Sequence, residues 1–455
     1  MKKSPSLKMV RSSAFNVTGN SMKPFHPADY LSGLNIDVMR FGLEAITALL
    51  DRAGRPQNDF PAVLIGGTNG KGSTAVMLAA MLRQAGLRVG LYTSPHLVDV
   101  RERIVVNGVK IPRRELKKLL AEIRDLAREP ITYFECLTAA AFLYFSRRRV
   151  DLAVLEVGLG GRLDATNVCR PLVSVITNIA LEHTAWLGKT LADIACEKAG
   201  IIKEGGICLT AARQPKVLDV IEKTCRNRQA ALFRLGDDFK IRRHPDGSVS
   251  YTGRLRKIGP LTVPLSGRHQ AQNLALALAA VEVLEEKGYR IGAAAIARGL
   301  AKTRWPARLE TLLSCPLFLL DGAHNPAGIA TLCRTLRKDF SGRRLILIFS
   351  ALADKNYRGM LDRIGPLAGF IFLPPLATGR AVAPGTLAAY AQTRGYPASV
   401  TAGVAEAVER ALARAGARDV ICACGSLYLA GEIKHLFPDR AGCGKTPAVG
   451  KKTRR

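Results

Sequence analysis

Residues 65–74, IGGTNGKGST, follow the apolar run Ala62-Val63-Leu64 and precede the helix-like stretch AVMLAAMLRQAG. A strand that runs into a glycine-rich turn and then into a helix is the layout of a phosphate cradle. Glycines let backbone N–H groups approach an anion, the helix N-terminus favours negative charge, and Lys71 supplies a mobile cation. The common spelling is Gly, four free positions, Gly-Lys, then Ser or Thr. Here Gly72 stands between Lys71 and Ser73, and Gly67 lies three residues before Gly70. The stretch therefore predicts an α/β fold with Gly67, Thr68, Asn69, Gly70, Lys71, Gly72 and Ser73 facing a nucleotide. The class of nucleotide chemistry stays open, and an ordinary strand-to-helix turn would carry the same glycines.

Outward from the cradle, strand-like and helix-like runs alternate. RVGLYTS, DLAVLEVG, LVSVITNI and GICLTA read as strands between helices, which predicts a parallel sheet covered by helices. A β-rich patch spans about 231–265, and RRHPDGSVSYTGRLRKIGP within it reads as a hairpin excursion. A helix is expected from His269 to about Glu286, and another near 291–301. Pro306 in AKTRWPARLE breaks the pattern, after which PLFLLDGAHNP, RRLILIFSALAD, GFIFLPPL and DVICACGS restart it. The expected organisation is a basic, flexible segment 1–24, a nucleotide-binding domain 25–302, a smaller α/β domain 303–438 and a basic, flexible tail 439–455.

A chain of 455 residues with 48% hydrophobic content can bury two cores. No uninterrupted apolar run approaches the ~20 residues of a membrane helix, and the N-terminal stretch lacks the apolar region of a secretory signal. A cytoplasmic protein without membrane partners is expected. The ten cysteines are scattered and read as reduced core residues, Cys136, Cys196, Cys208 and Cys333 among them. Cys422 and Cys424 share a strand face, where burial is the ordinary expectation and a metal site an alternative. The formal charge of +30 raises a nucleic-acid reading. Aromatics make up only 6% and do not interleave with the basic residues as in a single-strand binder, so no nucleic-acid partner is expected.

Parallel strands deliver polar residues to their C-terminal ends, where ligands bind. Glu156 ends DLAVLEV and suits a carboxylate near Mg²⁺, although a surface glutamate would look the same. LVSVITNI leads to Glu182-His183, and RVGLYTS ends at Ser94-Pro95-His96. Asp321, His324 and Asn325 follow FLLDGAHNP, where they could grip a ribose or, for Asn325, simply cap the next helix. Lys198 lies in the otherwise apolar LADIACEKAGII, where a lysine is ordinarily solvated.

Together these residues resemble the folylpolyglutamate synthase and dihydrofolate synthase family within the Mur ligase superfamily. The resemblance is carried by GTNGKGS (67–73), YTSPHL (92–97), ERIVVNG (102–108), ITYFE (131–135), LEVGLGGRLDATN (155–167), EKAGI (197–201), HQAQN (269–273), RWPARLE (304–310), LDGAHNP (320–326) and GSLYLAGEI (425–433). They stand in family order over about residues 36–436. The resemblance implies a mostly parallel P-loop-type domain followed by a smaller Rossmann-like one, and it accounts for the shifted cradle, which this superfamily spells G-T-x-G-K-[GT]-[ST]. It implies that the cradle, with Asn273, Arg308, Asp321 and His324, holds ATP, and that Ser94, Glu156 and His183 hold Mg²⁺. Lys71, His183 and Lys198 would be catalytic, Lys198 as a carbamate. Val38 through Phe41, Ile131, Thr132, Tyr133, Phe134, Leu163, Asp164 and Ala165 would line the pterin side.

Three positions depart from the pattern: Ala45 replaces an arginine, Asp354-Lys355-Asn356 replaces D-K-D, and Pro306-Ala307-Arg308 replaces Pro-Gly-Arg. The implied reaction is ATP-dependent addition of L-glutamate to dihydropteroate and to folates, with a folate-only enzyme as the near rival. A monomer is expected. A regulatory GTPase is disfavoured because no N-K-x-D base-reading motif is present.

Overall fold

The computed structural model describes residues 30–31, 33–34 and 42–437. The sequence expectations for 1–24, Val38 through Phe41 and 439–455 lie outside the described residues. The first part contains α1 (Glu44–Arg52), β1 (Ala62–Gly66), α2 (Lys71–Gln84), β2 (Val89–Tyr92), β3 (Ile104–Val106), β4 (Val109–Lys110), α3 (Arg113–Leu126), α4 (Tyr133–Arg147), β5 (Leu152–Glu156) and β6 (Val173–Ile176). It continues through α5 (Thr184–Leu187), α6 (Leu191–Ala199), β7 (Ile207–Thr210), α7 (Pro215–Asn227) and β8 (Ala231–Arg234). Its sheet runs β4-β3-β2-β5-β1-β6-β7-β8, parallel from β2 to β8, with β3 and β4 added antiparallel at one edge.

Every residue of β1 is buried, as a central parallel strand requires. Its alternation feeds two cores: Ala62 and Leu64 join α1, α3, α4, α6 and α7 on one face. Val63 and Ile65 join α2 and two later helices on the other, α8 (His269–Glu286) and α9 (Ala293–Lys302). The expected hairpin excursion is a three-stranded antiparallel meander, β9 (Lys240–Arg243), β10 (Val249–Thr252) and β11 (Lys257–Leu261). Its turn is fastened to α8 by the buried Glu282, which accepts from the Tyr251 hydroxyl (2.9 Å) and the Arg254 N–H (3.0 Å). Satisfying a buried carboxylate this way offsets its desolvation.

The second part comprises β12 (Glu310–Ser314), β13 (Leu317–Leu320), α10 (Pro326–Asp339), β14 (Leu345–Phe349), α11 (Tyr357–Ile364), β15 (Ala368–Leu373), α12 (Pro384–Thr393), β16 (Ala398–Val400), α13 (Val404–Arg414), β17 (Val420–Cys424) and α14 (Leu427–Leu436). The sheet order is β12-β13-β17-β14-β15-β16, all parallel except β12. Helices α10, α11 and α12 cover one face, and α13 and α14 the other. Cys422 and Cys424 are buried in β17 beside Cys333 in one core.

The core reading of the cysteines fails at Cys196 and Cys315, which are exposed. Helix α6 buries Ile194, Ala195, Lys198 and Ala199, which turns Cys196 outward and Lys198 inward. Among the described residues no helix is long and apolar enough to cross a membrane.

Candidate active site

Strands β2, β5, β1 and β6 are neighbours, and their C-terminal ends form one edge that carries most of the polar residues singled out above. The cradle between β1 and α2 is held open by left-handed glycines, Gly67 at φ 127° and Gly70 at φ 90°. A Cβ on Gly67 would collide with Thr177, and one on Gly70 with the Asn273 amide. A Cβ on Gly72 would lie 2.9 Å from the Trp305 ring. The unusual glycine is thus the seat of an aromatic ring from the segment that joins the two sheets.

The turn is pinned to β6. Thr68 N–H donates to the Asn178 carbonyl (2.8 Å) and Asn69 N–H to Asn178 Oδ1 (3.0 Å), while Thr177 Oγ1 donates to the Asn69 carbonyl (2.7 Å). Gly70 begins α2 with no side-chain cap. Among the described residues no side chain caps the first-turn N–H groups of α2, which leaves them suited to bind an anion. Lys71 Nζ donates to the Thr68 carbonyl (3.1 Å).

At the end of β5, Glu156 is buried and accepts from Ser94 N–H (3.1 Å). Burial raises its pKa, and the nearby Lys71 is the largest charge acting against that rise. Ser94 and His96 do not form a hydroxyl–imidazole pair at this edge. Arg103 Nε donates to His96 Nδ1 (3.0 Å), and burial together with that guanidinium pushes the imidazole down to about 4.

After β6, His183 adopts a left-handed backbone (φ 52°). Lys355, from the second sheet, donates to Glu182 Oε1 (3.2 Å) and to His183 Nε2 (3.1 Å), and His324 Nε2 lies 3.3 Å from the same glutamate oxygen. Burial lowers His183 to about 4, and Lys355 adds to the shift, so its ring is a neutral acceptor. Burial alone would raise Glu182, but His324 and Lys355 outweigh it and hold the carboxyl well below its usual range.

Lys198 is buried and donates to the Gly67 carbonyl (3.0 Å). Burial first, and then the charge of Lys71, bring its pKa down to about 7. A large fraction of its amine is therefore unprotonated at neutral pH.

From the second sheet, Asp321 accepts the N–H groups of Leu309 and Ala323, both at 2.9 Å. Asn325 caps α10 through Oδ1 (2.7 Å to Gly328 N–H) and spans to the cradle through Nδ2, 3.0 Å from Asn69 Oδ1. Between the sheets lies a cavity of about 360 Å³ lined by Asn69, Gly70, Ser73, Asn273, Arg308, Asp321 and His324.

The residues that the resemblance assigns to a pterin side sit on the α4 face of the large sheet. Ile131, Tyr133 and Ala165 are buried, Leu163 is half-buried, and Phe134 stacks near Tyr92 at 6.0 Å. Thr132 forms a capping box with Glu135 at the start of α4. Asp164 accepts from the N–H groups of Leu159 (2.8 Å) and Thr166 (3.0 Å). Most of the polar capacity of Thr132 and Asp164 is therefore spent on local backbone.

Among the described residues no three His, Cys, Asp or Glu side chains are grouped to hold a metal ion. The hard cation Mg²⁺ prefers oxygens and keeps several waters, so it needs few protein ligands. The buried Glu156, next to the Ser94 turn and facing the phosphate cradle, fits such an ion, whereas His183 Nε2 is engaged by Lys355. Asn178 and Trp305 carry no role readable from the sequence motifs, and Lys355 stands out there only as part of a variant motif. Asn178 is the second residue after β6, a position at which a strand-end polar residue is readable; the partners of Lys355 and Trp305 are distant in sequence.

Residues 65–281 match the Mur ligase middle domain, and residues 307–427 match the Mur ligase, glutamate ligase domain. A dihydrofolate synthase/folylpolyglutamate synthase of Bacillus subtilis is 36% identical over 407 residues, covering 86% of this chain and 94% of that protein. A probable bifunctional folylpolyglutamate synthase/dihydropteroate synthase of Haloferax volcanii is 38% identical over 88% of this chain, but the chain spans only about half (49%) of that longer relative. Among solved structures, E. coli FolC in complex with DHPP and ADP superposes with a TM-score of 0.85 at 30% identity, covering 91% of this chain and 98% of that one. The Yersinia pestis bifunctional enzyme complexed with AMPPNP and a Mn ion gives 0.81 at 30% identity over 90% and 96%. With that likeness over nearly the whole of the Bacillus protein, and the same two-sheet architecture around one cradle, the chain belongs to the folylpolyglutamate synthase/dihydrofolate synthase family of the Mur ligases.

Proposed function

We propose that the protein is an ATP-dependent ligase that joins L-glutamate to dihydropteroate and to folates, a bifunctional dihydrofolate synthase/folylpolyglutamate synthase. The observation that carries this reading is the uncapped start of α2 beside the inter-sheet cavity, with the charge of Lys71 acting on the buried Glu156. The printed names of the relatives, and DHPP with ADP in the E. coli neighbour, support the choice of substrates.

In this reading the acceptor carboxylate attacks the γ-phosphorus of ATP, the bond to ADP breaks, and an acyl phosphate forms. The amino group of L-glutamate then attacks the acyl carbon, phosphate leaves, and the amine gives up a proton. The protein's part is electrostatic and geometric. The α2 N–H groups and Lys71 hold phosphate oxygens, and Asn273, Arg308, Asp321 and His324 hold the rest of the nucleotide. Glu156 and Ser94 would hold Mg²⁺, with His183 beside them; the ion would supply positive charge to the transferring phosphoryl group. The unprotonated amine of Lys198 can add to CO₂, forming an N–C bond and releasing one proton, which makes a carbamate at the back of the cradle. Ile131, Thr132, Tyr133, Phe134, Leu163, Asp164 and Ala165 would shape the pterin side. Bonds across the two sheets, Asn325 to Asn69 and Lys355 to Glu182, tie the second sheet to the cradle, where its closure would keep water from an acyl phosphate.

The test is phosphate release from ATP and L-glutamate with either dihydropteroate or tetrahydrofolate. Release with both is expected; release with neither overturns the reading, and release with tetrahydrofolate alone reduces it to a folylpolyglutamate synthase. The reading takes the enzyme to be a cytoplasmic monomer, which light scattering and cell fractionation check.

A further inference from the structure

A second cavity, about 580 Å³, opens on the same edge as the cradle but on the α2 face of the large sheet, opposite Phe134. Its walls come from α2, the β2–β4 ribbon, the segment 302–308 and α14, and its inner end is formed by Ser94 and Glu156. Six lysines and arginines line it against two acids, Glu102 and Glu156. Glu102 is already neutralised by Lys110 at 3.2 Å and by backbone N–H groups, including that of Leu97 at 2.9 Å.

Among the described residues, three of the cations are bonded to neutral oxygens alone. Arg83 donates to the Asn107 carbonyl (3.1 Å), Lys302 to Gln84 Oε1 (3.1 Å), and Arg304 to the Ala301 (3.0 Å) and Thr303 (2.8 Å) carbonyls. Among the described residues no carboxylate pairs with them, which leaves their charge available to an anion in the cavity they line. Between them the wall is apolar: Val76, Ala79, Leu91 and Val105. A chain that alternates carboxylates with methylene pairs matches cations set around an apolar floor.

We propose that this cavity holds the γ-linked oligoglutamate chain of the acceptor, feeding its terminal carboxylate to the Ser94–Glu156 edge from the α2 face. The proposal rests on the ligase reading above and adds to it a place for the growing chain. Acceptors without a chain need only the α4 face, whereas each added glutamate lengthens the contact with Arg83, Lys302 and Arg304.

The experiment compares the wild type with Arg83→Gln/Lys302→Gln/Arg304→Gln and with Arg83→Lys/Arg304→Lys. One arm measures kcat/KM with acceptors bearing one and five glutamates; the other measures direct binding of free penta-γ-L-glutamate by calorimetry. The neutral variant is expected to lose at least about tenfold in kcat/KM for the five-glutamate acceptor and in pentaglutamate binding. Its KM for ATP and its activity on the one-glutamate acceptor should stay within about twofold of wild type, which also shows that it folds. The charge-retaining variant should recover most of the loss, and added salt should weaken wild-type pentaglutamate binding. Equal losses on both acceptors, or pentaglutamate binding unchanged in the neutral variant, overturn the proposal. If no acceptor is turned over yet pentaglutamate binds through these three residues, the ligase reading falls and the anion site stands.

Discussion

The cradle edge and the pterin-side stretch were equally visible as motifs, yet they spend their polar atoms differently. At the cradle edge, α2 starts uncapped, Glu156 is desolvated with one N–H donor, and Lys198 is buried against a single carbonyl. In the pterin-side stretch, Thr132 and Asp164 are consumed by their own helix start and turn. The first region is costly to fold and is completed by a ligand; the second completes itself. Substitutions should therefore separate into those that remove activity and those that remove stability.

The largest expected effect is at Lys198. Lys198→Met should cut turnover by about 10²- to 10³-fold in the phosphate-release assay. The same variant has a pH signature. The lysine titrates near 10.5 in the unfolded chain and about 7 in the native one, so between those values the unfolded chain binds the extra proton. Stability should then rise with pH from about 7 towards 10.5 in the wild type, and chemical denaturation at pH 7 and 9 should show a flatter dependence in Lys198→Met. An unchanged slope would break the contrast at its strongest point. Next comes Glu182→Gln, which leaves Lys355 and His324 without their anion; it should lower kcat by about 10- to 100-fold and stability by about 3 kcal/mol. Equal urea midpoints for this variant and the wild type would show that the cluster contributes nothing to folding. The smallest effect is Thr132→Ala, expected to cost about 1 kcal/mol through the lost cap while KM for the acceptor stays within about twofold. A larger KM change with little loss of stability would transfer Thr132 to the ligand-facing side.

Sequence legibility followed the range of the interactions. The β1–α2 cradle and helix α8, from His269 to Glu286, could be read because glycine placement and apolar pattern are local. The β3–β4 ribbon carried a hairpin signal in Asn107-Gly108, both left-handed, but its strands are too short for a periodic pattern. The burial of Lys198 was legible in hindsight from its spacing, one helical turn after Ile194, while its residue type argued for solvent. The bonds from Lys355 to Glu182 and from Asn325 to Asn69 join residues 173 and 256 positions apart, and no local pattern encodes them.

The contact between Gly72 and Trp305 joins two functions in one place. The first turn of α2 is the proposed seat of the phosphates, and the indole lying on it belongs to the strap leading to the second sheet. A shift of that turn on nucleotide entry would change the packing of the ring against it. The glycine that makes the cradle look misspelled thus gives the indole its seat, and since the chain has only two tryptophans, fluorescence of a Trp186→Phe protein would report directly whether nucleotide entry disturbs that seat.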